Sequence, residues 1–408
     1  MARICVLRQF YVPDDPRVRR EVYALTSAGH SVDVICMRRP GEARTQREGS
    51  LTIHRLPMTH KRGGLARYAF EYVGFPALAG AYLAWLDRRR RFDLVQANTV
   101  PDWLVFAAFA PRLRGVPVVL DLHECVPEFF ATKLHIDVDH PAVRVLGAAE
   151  RVSISFASAA ITCTDQMRDA FVSRGAARNR IAVVMNSTDE TIFDPDRFPP
   201  LPRREGRFTL LCHGTIEERY GQDTIIRAVK RLQGRIPGLS LEIYGDGSYG
   251  EELRRLVDEL DLQQEVTFHG FVPMDELVAA IADADAGVVA MKRDAFRDLT
   301  HCNKMFDLIT MRRPVICSRT RSVMAYFPNG SLKYFDAADD ADLARAIEEL
   351  YLDPVQADEL VRSASAENEP YRWPYQRVHY LAVIEDLLAG DSEQGDIELP
   401  ELLAERVT

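Results

Sequence analysis

Short apolar runs alternate with segments of helical period along almost the whole chain, in two successive series. The first series is Ile4–Leu7, Val32–Cys36, Leu94–Ala97, Val116–Leu120, Ala160–Thr162 and Ile181–Met185. The second is Thr209–Cys212, Leu241–Tyr244, Val266–Phe268, Gly287–Ala290, Val315–Cys317 and Lys333–Phe335. Helix-period stretches such as Arg17–Ala28, Asp102–Leu113, Thr224–Leu232, Glu251–Leu260, Asp275–Ala282 and Ala341–Tyr351 lie between them. Uninterrupted apolar strands separated by helices need cover on both faces, so the pattern predicts parallel sheets in an α/β fold. A chain of 408 residues is long for one core,. The alternation breaks once, between Asn186 and Arg207, where Pro195, Pro199, Pro200 and Pro202 accumulate,. Two doubly wound, Rossmann-like domains are therefore expected, 1–190 and 208–370, joined by a Pro-rich linker at 191–207. A last amphipathic helix is expected over 371–390. The acidic tail 391–408, with six carboxylates and one Arg, is expected to be disordered or loosely packed,.

Composition narrows the functional classes. A net charge of -9 argues against bulk nucleic-acid binding,. Seven cysteines occur without a CxxC pair, and Cys5, Cys36, Cys163, Cys212 and Cys317 sit in or beside apolar runs. That usage implies reduced, packed thiols and a cytoplasmic setting. The first residues read as a strand rather than a signal peptide. No apolar run reaches the length of about 18 residues that a spanning helix needs. The segment Leu65–Leu86 and the following Arg88 to Arg91 have two readings: a helix packed on the first sheet with a solvated basic end, or a peripheral contact with an anionic membrane surface,.

In folds of this class ligands bind beyond the carboxyl ends of the strands, and two facing domains place them in a central cleft. The residues at those ends carry the chemistry. Gly214 and Thr215 follow one strand and lead, past Arg219, to a helix starting near Gly221. The glycine lets backbone approach a ligand, the helix offers free N–H groups, and Arg219 suits a diphosphate. Tyr244 and Gly245 end the next strand and are expected to leave room for a base or ribose. Gly270 ends a third, with Phe271 or Val272 as an apolar wall against a nucleobase. Asn303, Lys304 and Asp307 open a helix before the strand at Pro314: Asn303 as its cap, Lys304 for pyrophosphate, Asp307 for ribose hydroxyls. An Asn cap with a Lys304–Asp307 surface pair is the plainer reading. In the first half, Asp121-Leu122-His123-Glu124 follows a strand, and His123 is placed to bond a sugar hydroxyl or act on an acceptor proton, with Glu124 beside it. Asp14, Arg17 and Arg20 open the first helix. Arg17 and Arg20 face phosphate or acceptor, or pair with Asp15 and Glu21.

Taken together, these motifs and the Ala28-Gly29-His30-Ser31-Val32 opening resemble the GT-B-fold retaining glycosyltransferases, family four, the group 1 glycosyltransferases. The resemblance covers about residues 2–390. It implies that Arg219 and Lys304 bind the donor diphosphate, that His123 contacts the transferred sugar, and that Asp307 stands where a glutamate usually holds the ribose. The helix Tyr375–Leu388 would cross back to the first domain. It also implies transfer with retention, the leaving diphosphate taking the acceptor proton, with no protein nucleophile, no cofactor and no metal. The catalytic set is then His123, Arg219 and Lys304. The donor is a nucleoside-diphosphate sugar, UDP-linked by preference and GDP-linked as the alternative. The acceptor, a small molecule or lipid-linked glycan, falls to Asp14, Arg17, His123 and Glu124. The chain departs from the family at four places. Leu299 occupies the partner position of the usual acidic pair, leaving Asp298 or backbone to meet the donor sugar. Thr215 follows Gly214 where Arg is usual. Asp14 to Arg17 replace a glycine pair, and Arg312 replaces a glycine. Two other readings remain in play: a sugar-nucleotide epimerase of the same fold, and a non-catalytic subunit that binds nucleotide sugar.

Overall fold

The computed structural model describes residues 1–60, 65–328 and 330–390. The acidic stretch 391–408 lies outside the described residues. The chain divides into two compact α/β units, Met1–Asn186 together with the chain from Pro374, and Ser187–Trp373.

The first unit is built on an eight-stranded sheet in the order β3-β4-β2-β1-β5-β6-β7-β8. Its strands are β1 (Arg3–Arg8), β2 (Ser31–Met37), β3 (Thr45–Glu48), β4 (Leu51–Leu56), β5 (Leu94–Asn98), β6 (Val118–Leu122), β7 (Ala159–Thr162) and β8 (Ile181–Val183). All pairs are parallel except β3 with β4. That hairpin is absent from the sequence reading because β3 is a polar edge strand, and β4 hides Thr52, His54 and Arg55 among its apolar residues. Those polar groups are satisfied locally: His54 Nε2 meets Asp33 Oδ1 at 2.7 Å, and Arg55 donates to Gln46 Oε1 at 2.7 Å,. The helix Pro16–Ser27 starts where Asp15 accepts from the N–H groups of Arg17 and Val18, with Pro16 in the first turn,.

The second unit has a six-stranded, all-parallel sheet in the order β11-β10-β9-β12-β13-β14. Its strands are β9 (Phe208–His213), β10 (Leu239–Tyr244), β11 (Val266–Gly270), β12 (Ala286–Val289), β13 (Val315–Ser318) and β14 (Lys333–Phe335). Helices such as Gln222–Leu232 and Asp340–Leu352 bury Ile225, Val229, Leu343 and Ile347 against it,.

The break between units falls at Asn186, earlier than the prolines suggest. Residues 191–207 are part of the second unit: Phe193 is buried and stacks on His213, and Leu201 N–H donates to Ala282 O at 2.8 Å. Prolines suit such a surface strap because they need no partner for an N–H. The last described helix, Trp373–Ala389, packs into the first unit from Pro374 onward. Its Tyr380 is fully buried and donates to Gln96 Oε1 at 2.7 Å, and its Gln376 accepts from Met185 N–H at 2.7 Å. No helix among the described residues is long and apolar enough to cross a membrane.

Candidate functional site

Three neighbouring strands of the second unit, β9, β10 and β11, end in glycines with left-handed backbone: Gly214 at φ +102°, Gly245 at +124° and Gly270 at +68°. Their loops are laced together, Gly214 N–H to Tyr244 O at 2.8 Å, Gly245 N–H to Gly270 O at 2.7 Å and Ile216 N–H to Asp246 O at 3.0 Å. A Cβ on Gly245 would stand 2.0 Å from Gly214 O, so the close approach of that backbone requires a glycine there,. Tyr244 is likewise a packing residue, buried with its ring stacked on His269 at 4.1 Å between centroids. Phe271 is 82% exposed and Val272 half-buried beside it, so the ring of Phe271 is presented to solvent.

Gly214 makes room for a cation. A Cβ on it would lie 2.0 Å from Lys304 Cε, so the Lys304 stem runs across the glycine. The ammonium then donates to Thr215 O at 3.4 Å and sits 3.8 Å from the centroid of the Tyr220 ring,. Arg219 approaches the same ring at 5.3 Å and pairs with Glu217 at 2.5 Å. Lys304 and Arg219, 85 positions apart in sequence, are therefore gathered around one aromatic platform. Tyr220 was not among the expected site residues, and only this shared contact identifies it. Gly221 follows at φ +68°, where a Cβ would meet Ala290 O at 1.9 Å, and begins the helix Gln222–Leu232. Thr215 itself is exposed.

Asn303 does not cap its helix. The cap position is Cys302, which makes no side-chain capping bond, and Asn303 is the first residue of the helix Asn303–Thr310 with an exposed side chain. The first turn thus keeps side-chain-free N–H groups beside Lys304, a setting that favours anions. Asp307 accepts from Thr188 Oγ1 at 2.8 Å, and His213 Nε2 lies 4.0 Å from its other oxygen. Burial, then the charge of Lys304, push the His213 imidazole down to about 3, so it is neutral at ordinary pH,. Neither Thr188 nor His213 was legible as a partner of Asp307, since both contacts join residues far apart in the chain. Asp298 turns elsewhere: it holds Arg293 at 2.7 Å and accepts from Arg321 N–H at 3.1 Å.

In the first unit the strand β6 continues to Leu122, so Asp121 is inside the sheet and fully buried. Arg17 holds it with two bonds of 2.8 and 2.7 Å, and spends further donors on Val184 O and Asn186 Oδ1 at 3.0 Å each. Of the two readings of Arg17, the pairing one is seen in part: its guanidinium is buried in this network, with Glu21 Oε1 at 3.2 Å as a further partner. Asp14 is half exposed and pairs with Arg39. His123 follows the strand and places Nε2 at 2.8 Å from Asp121 Oδ2. Burial lowers the His123 imidazole below its usual value, Asp121 opposing and Arg8 assisting. Arg17 and His123 hold Asp121 ionised against its burial. The neutral tautomer that satisfies this pair carries its proton on Nε2 and leaves Nδ1 as an acceptor. Glu124 is half-buried next to it.

Residues 15–187 match the family described as a glycosyl transferase 4-like domain, and residues 194–367 match the glycosyl transferases group 1. The GDP-mannose-dependent alpha-(1-6)-phosphatidylinositol monomannoside mannosyltransferase of Mycolicibacterium smegmatis is 35% identical over 102 residues, 22% of this chain and 27% of that protein. The chain thus spans about a quarter of the length of that relative. The 2-deoxystreptamine glucosyltransferase of Streptomyces kanamyceticus is 27% identical over 292 residues, covering 66% of this chain and 72% of that protein. Among solved structures, a sucrose-phosphate synthase from Thermosynechococcus elongatus superposes with a TM-score of 0.75 at 17% identity, over 96% of this chain and 100% of that one. At that identity the likeness is one of fold.

Proposed function

Because the chain belongs to the group 1 glycosyltransferases, we propose that it moves a sugar from a nucleoside-diphosphate sugar to an acceptor hydroxyl with retention at the anomeric carbon, in bacterial glycan or glycosylated natural-product biosynthesis. The observation that carries this reading is the pairing of Lys304 and Arg219 around Tyr220 at the first turn of the helix Asn303–Thr310. Two cations and free N–H groups at one place stabilise a diphosphate, most of all as it gathers charge on leaving. In the transfer, the bond from the anomeric carbon to the diphosphate oxygen breaks and a bond to the acceptor oxygen forms. The acceptor proton passes to the departing phosphate. His123, its imidazole oriented by Asp121, offers Nδ1 to a sugar hydroxyl. Side chains, not a resident metal, carry the charge in this reading, so EDTA leaves transfer unchanged; activity lost to EDTA and restored by a divalent ion overturns that part.

A UDP-sugar is the favoured donor and a GDP-sugar the alternative; a small molecule or a lipid-linked glycan is the acceptor. The test is a thermal-shift and calorimetric comparison of UDP, GDP, ADP, dTDP and CMP, with NAD as control. One nucleoside diphosphate is expected to stabilise the protein, and Lys304→Ala and Arg219→Ala each to weaken it severely with the fold intact. Stabilisation by NAD alone, or unchanged affinity in both variants, refutes the donor assignment. Release of an epimerised sugar nucleotide without transfer would instead support the epimerase.

The proposed place of work is cytoplasmic, with a peripheral contact at an anionic membrane. Along the helix Leu65–Arg90 the exposed side chains Phe70, Val73, Ala77, Ala81 and Trp85 form one apolar stripe that runs into Arg88 and Arg89. The neighbouring turn Asp102–Arg112, bonded to it through Trp103 Nε1 and Tyr72 O at 2.8 Å, adds exposed Phe106 and Phe109. The acids of both segments, Glu71, Asp87 and Asp102, are buried. An apolar face rimmed by arginine suits anionic headgroups. Sedimentation with phosphatidylcholine vesicles containing phosphatidylglycerol, lost in an Arg88→Gln, Arg89→Gln variant, supports this; absence of sedimentation with these vesicles refutes it without touching the catalytic reading.

A further inference from the structure

The loop between β12 and the helix Asn303–Thr310 contains an arginine that no motif singles out. Arg297 is 6% exposed. Its backbone is held in a tight turn: Asp294 Oδ1 accepts from the N–H groups of Phe296 and Arg297 at 2.9 and 2.7 Å, and Asp298 N–H returns to Asp294 O at 3.1 Å. Buried Phe296 anchors the turn. The guanidinium is therefore placed by the loop rather than left to find its own position.

Among the described residues that guanidinium forms no ion pair and faces two aromatic rings. It lies 4.9 Å from the Phe296 ring and 5.2 Å from the Tyr220 ring, and its Nε is buried with no hydrogen-bond partner. The adjacent carboxylate gives it no relief, because Asp298 is committed to Arg293 and to Arg321 N–H. A buried cation without an anion is costly, and proteins keep such groups where a ligand completes them. The ring it faces is the one that gathers Lys304 and Arg219.

We infer that Arg297 is a third anion-binding residue of the donor site, closing on the diphosphate of the nucleotide sugar. The inference rests on the donor reading above and names a residue beyond it. Charge balance favours the diphosphate over an acidic group on the sugar. Lys304 and Arg219 bring two positive charges, and Glu217 offsets one of them at 2.5 Å from Arg219. A diphosphate diester carries two negative charges, and a third arrives as the sugar leaves. Arg297 restores the match and meets the charge that develops. It also gives the loop with Leu299 and the diverted Asp298 a function: cationic contact replaces the acidic one.

The test uses Arg297→Gln and Arg297→Lys in the full chain, with UDP, UDP-glucose, UDP-glucuronic acid and uridine as probes, or the corresponding set for whichever base the screen identifies. Arg297→Gln is expected to weaken the nucleoside diphosphate and both sugar nucleotides by about tenfold to a hundredfold while leaving the nucleoside unaffected. Arg297→Lys is expected to recover part of the loss. Without ligand, Arg297→Gln keeps or raises the melting temperature, since it removes an uncompensated buried charge. Unchanged diphosphate affinity in Arg297→Gln overturns the inference. So does a loss confined to the glucuronic acid derivative, which would place Arg297 on the sugar. A lower ligand-free melting temperature with unchanged affinity would make it a structural residue. Wild-type protein that binds no nucleoside diphosphate removes the donor reading itself, and the inference with it; these outcomes are distinct.

Discussion

Replacing Gly214 by alanine tests the proposed donor site through a residue that carries no charge. The new Cβ would lie 2.0 Å from Lys304 Cε and 2.7 Å from its Nζ. Carbon atoms in contact sit about 3.5–4.0 Å apart, so the end of Lys304 must retreat by about 1.5–2 Å. Its bond to Thr215 O is already 3.4 Å long and does not survive that movement,. The ammonium leaves the Tyr220 face, and a charge-assisted contact to a diphosphate of about 1.5–3 kcal/mol is lost, or about tenfold to a hundredfold in affinity. The backbone angle of +102° adds strain of about 1–3 kcal/mol for any residue with a Cβ,. Calorimetry with the nucleoside diphosphate that stabilises the wild type should show Gly214→Ala nearly as weak as Lys304→Ala. The double variant should be little weaker than Lys304→Ala alone, because both changes remove the same contact. Wild-type affinity in Gly214→Ala, or losses that add in full, would refute the placement of Lys304 across this glycine.

Gly245→Ala is a different perturbation: its Cβ would meet a backbone oxygen, Gly214 O, at 2.0 Å, and no side chain can give way. It should destabilise the second unit by about 3 kcal/mol or more, read as a lower denaturant midpoint, and an unchanged midpoint would contradict the laced loops. His213 sets a pH dependence. Its folded pKa of about 3 lies below the usual 6.5, so the stability it contributes is present above about 6.5 and fades as pH falls towards 3. The slope is at most about 1.4 kcal/mol per pH unit. His213→Gln should flatten stability over that window, and an unaltered pH profile would exclude His213 as its source. Asp121→Asn removes the bidentate partner of the buried Arg17 and leaves it Glu21 at 3.2 Å with Val184 O and Asn186 Oδ1; it is expected to cost about 1.5–3 kcal/mol in the first unit, measured by thermal unfolding, and an unchanged melting temperature would refute a stabilising role for the pair.

The alternation of apolar runs was enough to place two parallel-sheet units, because buried parallel strands leave a local signature. The hairpin of β3 and β4 was not readable, since its buried His54 and Arg55 look like exposed polar positions until Asp33 and Gln46 are seen beside them. The same limit applied at the sites. Glycines at strand ends were visible, but whether each empties space for a ligand, a lysine stem or another backbone depends on what packs there: Lys304 for Gly214, Gly214 O for Gly245. Arg17 read either as a cation facing an acceptor or as a partner of nearby acids; Glu21 is such a partner, but Asp121, which it grips with two bonds, lies 104 positions away. Tyr220 and Arg297 carried no local pattern at all. Their significance comes from convergence in space, which one-dimensional spacing does not encode.

The order in which the first unit is made differs from the order in which it is assembled. Its sheet is synthesised by residue 183, but Tyr380 and Gln376, which close on Gln96 and Met185, leave the ribosome only after all of Ser187–Trp373. The buried cluster that Gln96 shares with Glu21 and Asn98 is thus missing one member during most of translation,. The second unit is in effect an insertion, free to mature while its host waits for a final helix. By the same logic, exchanging Ser187–Trp373 between relatives would graft a complete unit at two cut points and leave the host's closing helix in place.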